Sequence, residues 1–230
     1  MDTVRHRWEA IQHTIARAAE PAGRSPADIT VLAVTKNRSP EEVDEAIACG
    51  LSLLGENRVQ EAEAKRPQVR GHGQWHLVGH LQTNKARRAV EVFDAVQSVD
   101  SLRVAQALDR HAGEAARRLS VLLQVNTSGA AGQSGVAPDG AVELAEQVAR
   151  LPHLHLCGLM TIAALSPEES VVRGCFAIAR SLRDRIAGAR LDGVDMGCLS
   201  MGMSSDFAWA VAEGSTMLRL GTVLFGPRSA

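Results

Sequence analysis

The 230-residue chain has no tyrosine, and phenylalanine and tryptophan together make up only 3% of it. No apolar run is long enough to span a membrane. Charge of one sign is not in excess: the formal net charge is −1 at pH 7, so the sequence gives no electrostatic reason to expect nucleic acid or an anionic membrane as partner. Cysteine is scarce, and Cys49, Cys157, Cys175 and Cys198 include no C-x-x-C pair. That spacing excludes a disulfide frame and a zinc site, and reads as buried, reduced thiols in a cytoplasmic protein. Arg5 and Arg7 near the start are offset by Glu9 and have no apolar stretch behind them, so no signal peptide is expected. Low-complexity linkers and composition shifts are absent too, and a single domain over residues 1–230 is expected.

What is present is an alternation. Short apolar runs, too brief for helices and rich in β-branched residues, read as strands buried on both faces. They are Ile29–Lys36, Leu51–Leu54, Gln74–His80, Ala95–Val99, Val121–Asn126, Leu154–Met160, Val194–Leu199 and Thr216–Leu220. An amphipathic helix carrying Val4, Trp8, Ile11 and Ile15 precedes them. Between them the spacing predicts helices from Pro40, from Gly55-Glu56-Asn57 to about Arg66, over Thr83–Phe93, from Asp100 or Ser101, from Pro138, from Ser166-Pro167-Glu168-Glu169 to about Ile186, and over Ser205–Glu213. The first of these carries a capping box, with Ser39 as N-cap, Pro40 at the first helical position and Glu42 three residues after the cap. Strands alternating with helices imply a parallel sheet, because each crossover must return to the same edge. The expected fold is therefore α/β: a (β/α)8 barrel with an extra N-terminal helix. An open doubly wound sheet would place a Gly-rich loop after the first strand, where this chain has Thr35-Lys36-Asn37-Arg38.

Barrels carry their chemistry at the carboxyl ends of the strands. Those ends here are Lys36, Glu56-Asn57, His80, Asn126, Met160-Thr161, Ser200-Met201-Gly202-Met203-Ser204 and Gly221-Thr222. Burial disfavours an ammonium, so a strand-end lysine is either a nucleophile and Schiff-base former or a side chain that snorkels to solvent. The loops after the seventh and eighth strands are where barrels hold phosphate, and here they offer Gly202, Gly221, the hydroxyls of Ser200, Ser204 and Thr222, and a helix start at Ser205. An amine and a phosphate cradle in one barrel mouth match pyridoxal 5'-phosphate, which brings an aldehyde for the first and a phosphate for the second. Arg219 either donates to the pyridine nitrogen, leaving the ring a weak electron sink, or sits in a surface ion pair. His72, His76 and His80 have metal-like spacing only on a helix; in a strand broken by Gly73 and Gly79 they read as core or loop residues, and no metal is expected. Lys85, Arg87 and Arg88 read as a solvated helix face.

These motifs together resemble the pyridoxal phosphate homeostasis protein family. The resemblance runs through Leu32-Ala33-Val34-Thr35-Lys36, Gly55-Glu56-Asn57-Arg58-Val59-Gln60-Glu61 and Trp75-His76-Leu77-Val78-Gly79-His80-Leu81-Gln82-Thr83-Asn84-Lys85. It continues through Gly158–Ile162, Leu199–Ser204, Gly214-Ser215-Thr216 and Arg219-Leu220-Gly221-Thr222 to Phe225-Gly226. It implies a fold like the barrel domain of bacterial alanine racemase without that enzyme's second domain; the chain ends at Ala230, just after the eighth strand. It also implies that Lys36 carries pyridoxal 5'-phosphate as an internal aldimine, that Ser200, Gly221 and Thr222 hold the phosphate, and that Arg219 meets the pyridine nitrogen. Asn57, His80 and Met203 lie in matched motifs and count with the cofactor-binding set. Gln133 departs from the lysine usual in the family, which leaves no second lysine in that loop. The function implied is that of a cytoplasmic monomer that buffers or delivers the cofactor, with PLP-dependent apoenzymes as partners and no robust catalysis. The rivals are a PLP-dependent amino-acid racemase and a cofactor-free Schiff-base aldolase. Two-base racemisation uses a tyrosine opposite the lysine in alanine racemases, and this chain has none.

Overall fold

The computed structural model describes residues 3–227, in which eight parallel strands close into a barrel in sequence order. They are β1 (Thr30–Val34), β2 (Leu53–Glu56), β3 (Gln74–Leu77), β4 (Ala95–Val99), β5 (Leu119–Val125), β6 (Leu154–Thr161), β7 (Val194–Ser200) and β8 (Met217–Leu220). β1 pairs with β2 on one side and β8 on the other, so Leu32 lies opposite both Leu53 and Arg219. The helices are α1 (Val4–Ala19), α2 (Pro40–Ala48), α3 (Val59–Lys65), α4 (Ala86–Val92), α5 (Leu102–Glu114), α6 (Ala141–Ala149), α7 (Glu169–Gly188), α8 (Phe207–Ala212) and the single turn α9 (Thr222–Phe225). Among the described residues no helix is long and apolar enough to cross a membrane.

Side chains alternate along a strand, so each strand faces both the helical layer and the barrel interior. Val31 and Ala33 join the core beneath the helices, with Ile11, Val43 and Leu218. Leu32, in register with Arg219, turns inward and is fully buried. The interior is polar in its upper half: His76, Gln97, Ser200 and Arg219 are all buried. A hydrogen bond from Ser200 on β7 to Gln97 on β4 spans non-adjacent strands and therefore crosses the interior. α1 packs beside α8 and α9.

Several boundaries differ from the sequence expectation. β1 ends at Val34, and Lys36 lies in a turn beyond it. The polar helix expected from Gly55 begins only at Val59, because Gly55 and Glu56 complete β2. β3 stops at Leu77, which leaves His80 in a loop, and the segment from Thr83 starts as a 3-10 turn before α4. The Ser39 box forms as expected, with reciprocal bonds between Ser39 and Glu42. Its repeat at Ser166 does not: Ser166 Oγ accepts from the Glu168 amide and helix α7 starts at Glu169 without a side-chain cap. Only Cys175 is buried; Cys49, Cys157 and Cys198 are partly exposed, though all are free thiols. Ala230 lies outside the described residues.

Candidate functional site

At the carboxyl end of the barrel is a cavity of about 550 Å³, lined among others by Lys36, Asn57, His80, Met203, Arg219, Gly221 and Thr222. Of the eight residues expected in the site, seven thus come together. Lys36 is half-buried, and its amine has no hydrogen-bond or ion-pair partner among the described residues. Asn57 reaches the wall because its loop packs against the next one: a Cβ at Gly79 would fall on the Asn57 carbonyl, so only glycine permits that approach.

The anion cradle is built differently from the expectation. Helix α8 begins at Phe207 without a side-chain cap; the Asp206 carboxylate accepts from the Met203 amide at 2.6 Å, and the Asp206 and Phe207 amides both donate to the Met203 carbonyl. The free donors lie one loop further on. Gly221 is the N-cap of α9 and Thr222 its first residue, and the Val223 amide donates to Ser204 Oγ at 3.2 Å, tying the two loops together. Gly202 holds φ at +96° just before this segment, in a space that a Cβ would share with Ala210. Ser204, Ser205 and Thr222 line the cavity beside the α9 N-terminus, an arrangement suited to an anion.

Ser200 is the exception. It is fully buried below the cavity; its hydroxyl donates to Gln97 Oε1 at 2.7 Å and accepts from Arg219 Nη1 at 2.9 Å. With its one donor committed, it has none to offer a phosphate. This corrects the expected phosphate role: Ser200 supports Arg219 instead.

Arg219 is not in a surface ion pair. It is 4% exposed and donates through Nη1 to Ser200 and through Nη2 to the Thr161 carbonyl at 2.7 Å. Two of the five guanidinium N–H donors are so used, and Arg219 also lines the cavity. Burial pushes Arg219 down to about 10, partly offset by Asp206, so it keeps its charge at neutral pH. The support continues inward: Gln97 Nε2 donates to His76 Nδ1 at 2.9 Å, and burial drives the His76 imidazole down to about 4. A neutral His76 with Nδ1 accepting carries its proton on Nε2.

Gln97 and His76 belong to the site's support, and neither was singled out for it from the sequence; the signal was a glutamine in the middle of the apolar strand Ala95–Val99. Gln133 lines the cavity with both ends of its amide engaged, accepting from Ser128 Oγ and donating to the Ile162 carbonyl, each at 2.6 Å. It ties the loop after β5 to the end of β6. His80 stands at the mouth with Nδ1 3.2 Å from Asp100 Oδ2, away from the interior His76. Arg87 and Arg88 are exposed and face Glu114 and Glu63, respectively, as a solvated helix surface does.

A closed parallel barrel with a free lysine after β1 and an anion cradle after β8 defines a class: the family model for alanine racemase, N-terminal domain, matches residues 7–229. Alanine racemase of Clostridium difficile 630 shares the fold, with a TM-score of 0.75 at 18% identity; the match covers 100% of this chain and 57% of that one. Within that class the chain belongs to the pyridoxal phosphate homeostasis protein family. It is 42% identical to the pyridoxal phosphate homeostasis protein of Pseudomonas aeruginosa, over 99% of this chain and 97% of that protein. PipY of Synechococcus elongatus, solved with PLP bound, is 39% identical with a TM-score of 0.81, over 93% of this chain and 100% of that one.

Proposed function

We propose that this chain binds pyridoxal 5'-phosphate reversibly through Lys36 and buffers or delivers it, as a cytoplasmic monomer serving PLP-dependent apoenzymes, without robust catalysis of its own. The observation that carries the reading is an unpartnered lysine amine sharing one cavity with a helix N-terminus, several hydroxyls and a buried arginine. That donor set fits the cofactor: an amine for the aldehyde, hydroxyl and N–H donors for a dianion, and a guanidinium for a ring nitrogen. When bound, the cofactor supplies an aldehyde for covalent capture and a ring that can accept electron density.

In this arrangement Gly221 and Thr222, with Ser204 beside them, bind the phosphate. Asn57, His80 and Met203 line the ring's surroundings. Arg219 donates to the ring nitrogen and, being charged at neutral pH, neither gives up nor exchanges its proton readily. It therefore holds the ring in place while limiting its pull on electrons, which favours storage over carbanion chemistry. No tyrosine exists anywhere in the sequence to act as a second base opposite Lys36. The similarity to PipY, solved with PLP bound, supports the choice of ligand.

The test is transfer against turnover. Protein loaded with pyridoxal 5'-phosphate should activate an added apoenzyme that needs it, and should convert L-alanine to D-alanine far below the enzyme-typical range of about 1–10³ per second. Turnover within that range, or a loaded protein that never yields its cofactor, would overturn the carrier reading. The cradle has its own test. Thr222→Val removes one hydroxyl donor to a dianion, a bond worth about 1.5–3 kcal/mol, so cofactor affinity should fall roughly ten- to a hundredfold. Equal affinity in equilibrium titrations of variant and wild type would exclude a phosphate contact at Thr222.

A further inference from the structure

We propose that Glu61 and Lys65 are positioning residues for Lys36: a half-buried ion-pair network that grips the peptide group on each side of Lys36 and fixes the direction in which its amine enters the cavity. This inference rests on the reading that Lys36 is the binding amine.

Lys36 occupies the second position of a tight turn, closed by a hydrogen bond from the Arg38 amide to the Thr35 carbonyl at 3.0 Å. The third position, Asn37, has φ of +56°, the left-handed conformation that a type II turn requires and that asparagine tolerates better than most residues. A turn of this kind on a barrel rim is held by little of its own. Here α3 holds it from outside. Lys65 Nζ donates to the Thr35 carbonyl at 2.7 Å, on the peptide group preceding Lys36. Glu61 Oε1 accepts from the Asn37 amide at 2.5 Å, on the peptide group following it. Lys65 and Glu61 are themselves paired at 2.9 Å, one helical turn apart.

The network is anchored below. Lys65 Nζ also meets Glu56 Oε1 at 2.7 Å, and Thr35 Oγ1 donates to the same oxygen at 2.7 Å. Glu56 is fully buried and Lys65 only 7% exposed. All three ammonium donors of Lys65 are thereby spent, on Thr35, Glu56 and Glu61. The two lysines contrast: one saturated and buried, the other unpartnered and facing the cavity. A buried ion pair is weak evidence for stability, since apolar residues often serve as well. Orientation explains better why a charged pair sits where its remaining bonds fall on the peptide groups flanking one residue. With both peptide planes fixed, only the Lys36 side-chain torsions remain to be ordered on capture.

The experiment compares the full-length wild type with Glu61→Ala and Glu61→Gln. The Glu61 side chain is partly exposed, so the alanine variant should fold, which thermal unfolding checks; Lys65→Met serves as a second probe if it folds too. In cofactor-free protein, amide hydrogen exchange at Asn37 should rise about tenfold or more in Glu61→Ala and return towards wild type in Glu61→Gln, which still offers an acceptor. Half-saturation by pyridoxal 5'-phosphate, read by visible absorbance, should move up about tenfold in Glu61→Ala. Binding of pyridoxine 5'-phosphate, which has an alcohol in place of the aldehyde, should be unchanged by calorimetry. Unchanged Asn37 exchange overturns the proposal, and so does unchanged capture of pyridoxal 5'-phosphate. Equal weakening of both ligands overturns it as well, since that marks a general structural role. A wild type that takes up no pyridoxal 5'-phosphate at Lys36 sinks the binding reading instead, while the exchange experiment still decides whether the network holds the turn.

Discussion

After unbound cofactor is removed, Lys36→Ala protein is expected to be colourless where wild type loaded with pyridoxal 5'-phosphate stays yellow. Lys36 is half-buried and makes no polar contact among the described residues, so its truncation should cost little stability and the loss should be one of chemistry. The cradle at Gly221 and Thr222 and the Arg219 guanidinium remain in the variant. Each charge-assisted hydrogen bond there is worth about 1.5–3 kcal/mol, so weak non-covalent binding, read by calorimetry, should persist while colour retained through gel filtration disappears. Borohydride treatment of the loaded wild type followed by peptide mapping should place the pyridoxyl group on Lys36. The alternative lysines are poor candidates on geometry: Lys65 has all three donors engaged, and Lys85 lies in the 3-10 turn before α4, outside the cavity lining. Label on either would sink the assignment. A wild type that remains colourless would return the barrel to the cofactor-free, amine-bearing reading.

The barrel was legible in the sequence for a physical reason. Parallel strands covered on both faces appear as uninterrupted apolar runs, and eight of these alternating with helical segments leave few topologies. That Lys36, Arg219, Gly221 and Thr222 share one end of the barrel was legible because the ends of such strands are fixed by the same alternation. The support beneath them was not. Glu56 reads as the polar start of a helix, and its bonds from Lys65, nine residues on, and from Thr35 let a carboxylate end a buried strand. Ser200 reads as a phosphate donor from its place before a Gly-Met-Ser loop, yet it is the last residue of β7 and turns into the interior towards Gln97. Gln97 and His76 carried a signal, each a polar residue amid apolar neighbours, but a strand's inward and outward faces cannot be told apart when both are buried. The repeated Ser-Pro-Glu-Glu shows the limit of local pattern: at Ser39 the reciprocal box closes, whereas at Ser166 the hydroxyl is taken by the Glu168 amide.

Acidification is expected to destabilise the wild type through His76, and a His76→Gln variant should lose that part of the pH dependence. Burial drives the folded-state pKa of His76 from 6.5 to about 4, with Asp94 opposing the shift. Between those values the unfolded chain binds a proton that the folded protein refuses, so stability rises with pH across this window. The contribution is complete above about 6.5 and is lost as the pH falls towards 4. A gap of that size corresponds to roughly 3 kcal/mol, a large fraction of the stability of an ordinary domain. Glu56 and Asp206 work in the other direction: burial raises both carboxyl groups, so the folded state takes up their protons more readily than the unfolded chain does. The raw acid curve is therefore a balance of opposing terms, and only the difference between wild type and variant isolates His76. Glutamine is the suitable replacement because its carbonyl still offers Gln97 Nε2 an acceptor without titrating. Protonation of His76 would set an Nδ1–H against that same Nε2–H. Gln97 would have to turn its amide over, withdrawing the oxygen that accepts from Ser200 and loosening the Ser200 bond to Arg219. Denaturant unfolding of both proteins from pH 7 to pH 4 gives the answer. Stability should fall about 3 kcal/mol further in wild type than in His76→Gln over that range. Parallel curves would show that His76 is protonated as readily folded as unfolded, and the relay beneath Arg219 would then lose its assigned polarity.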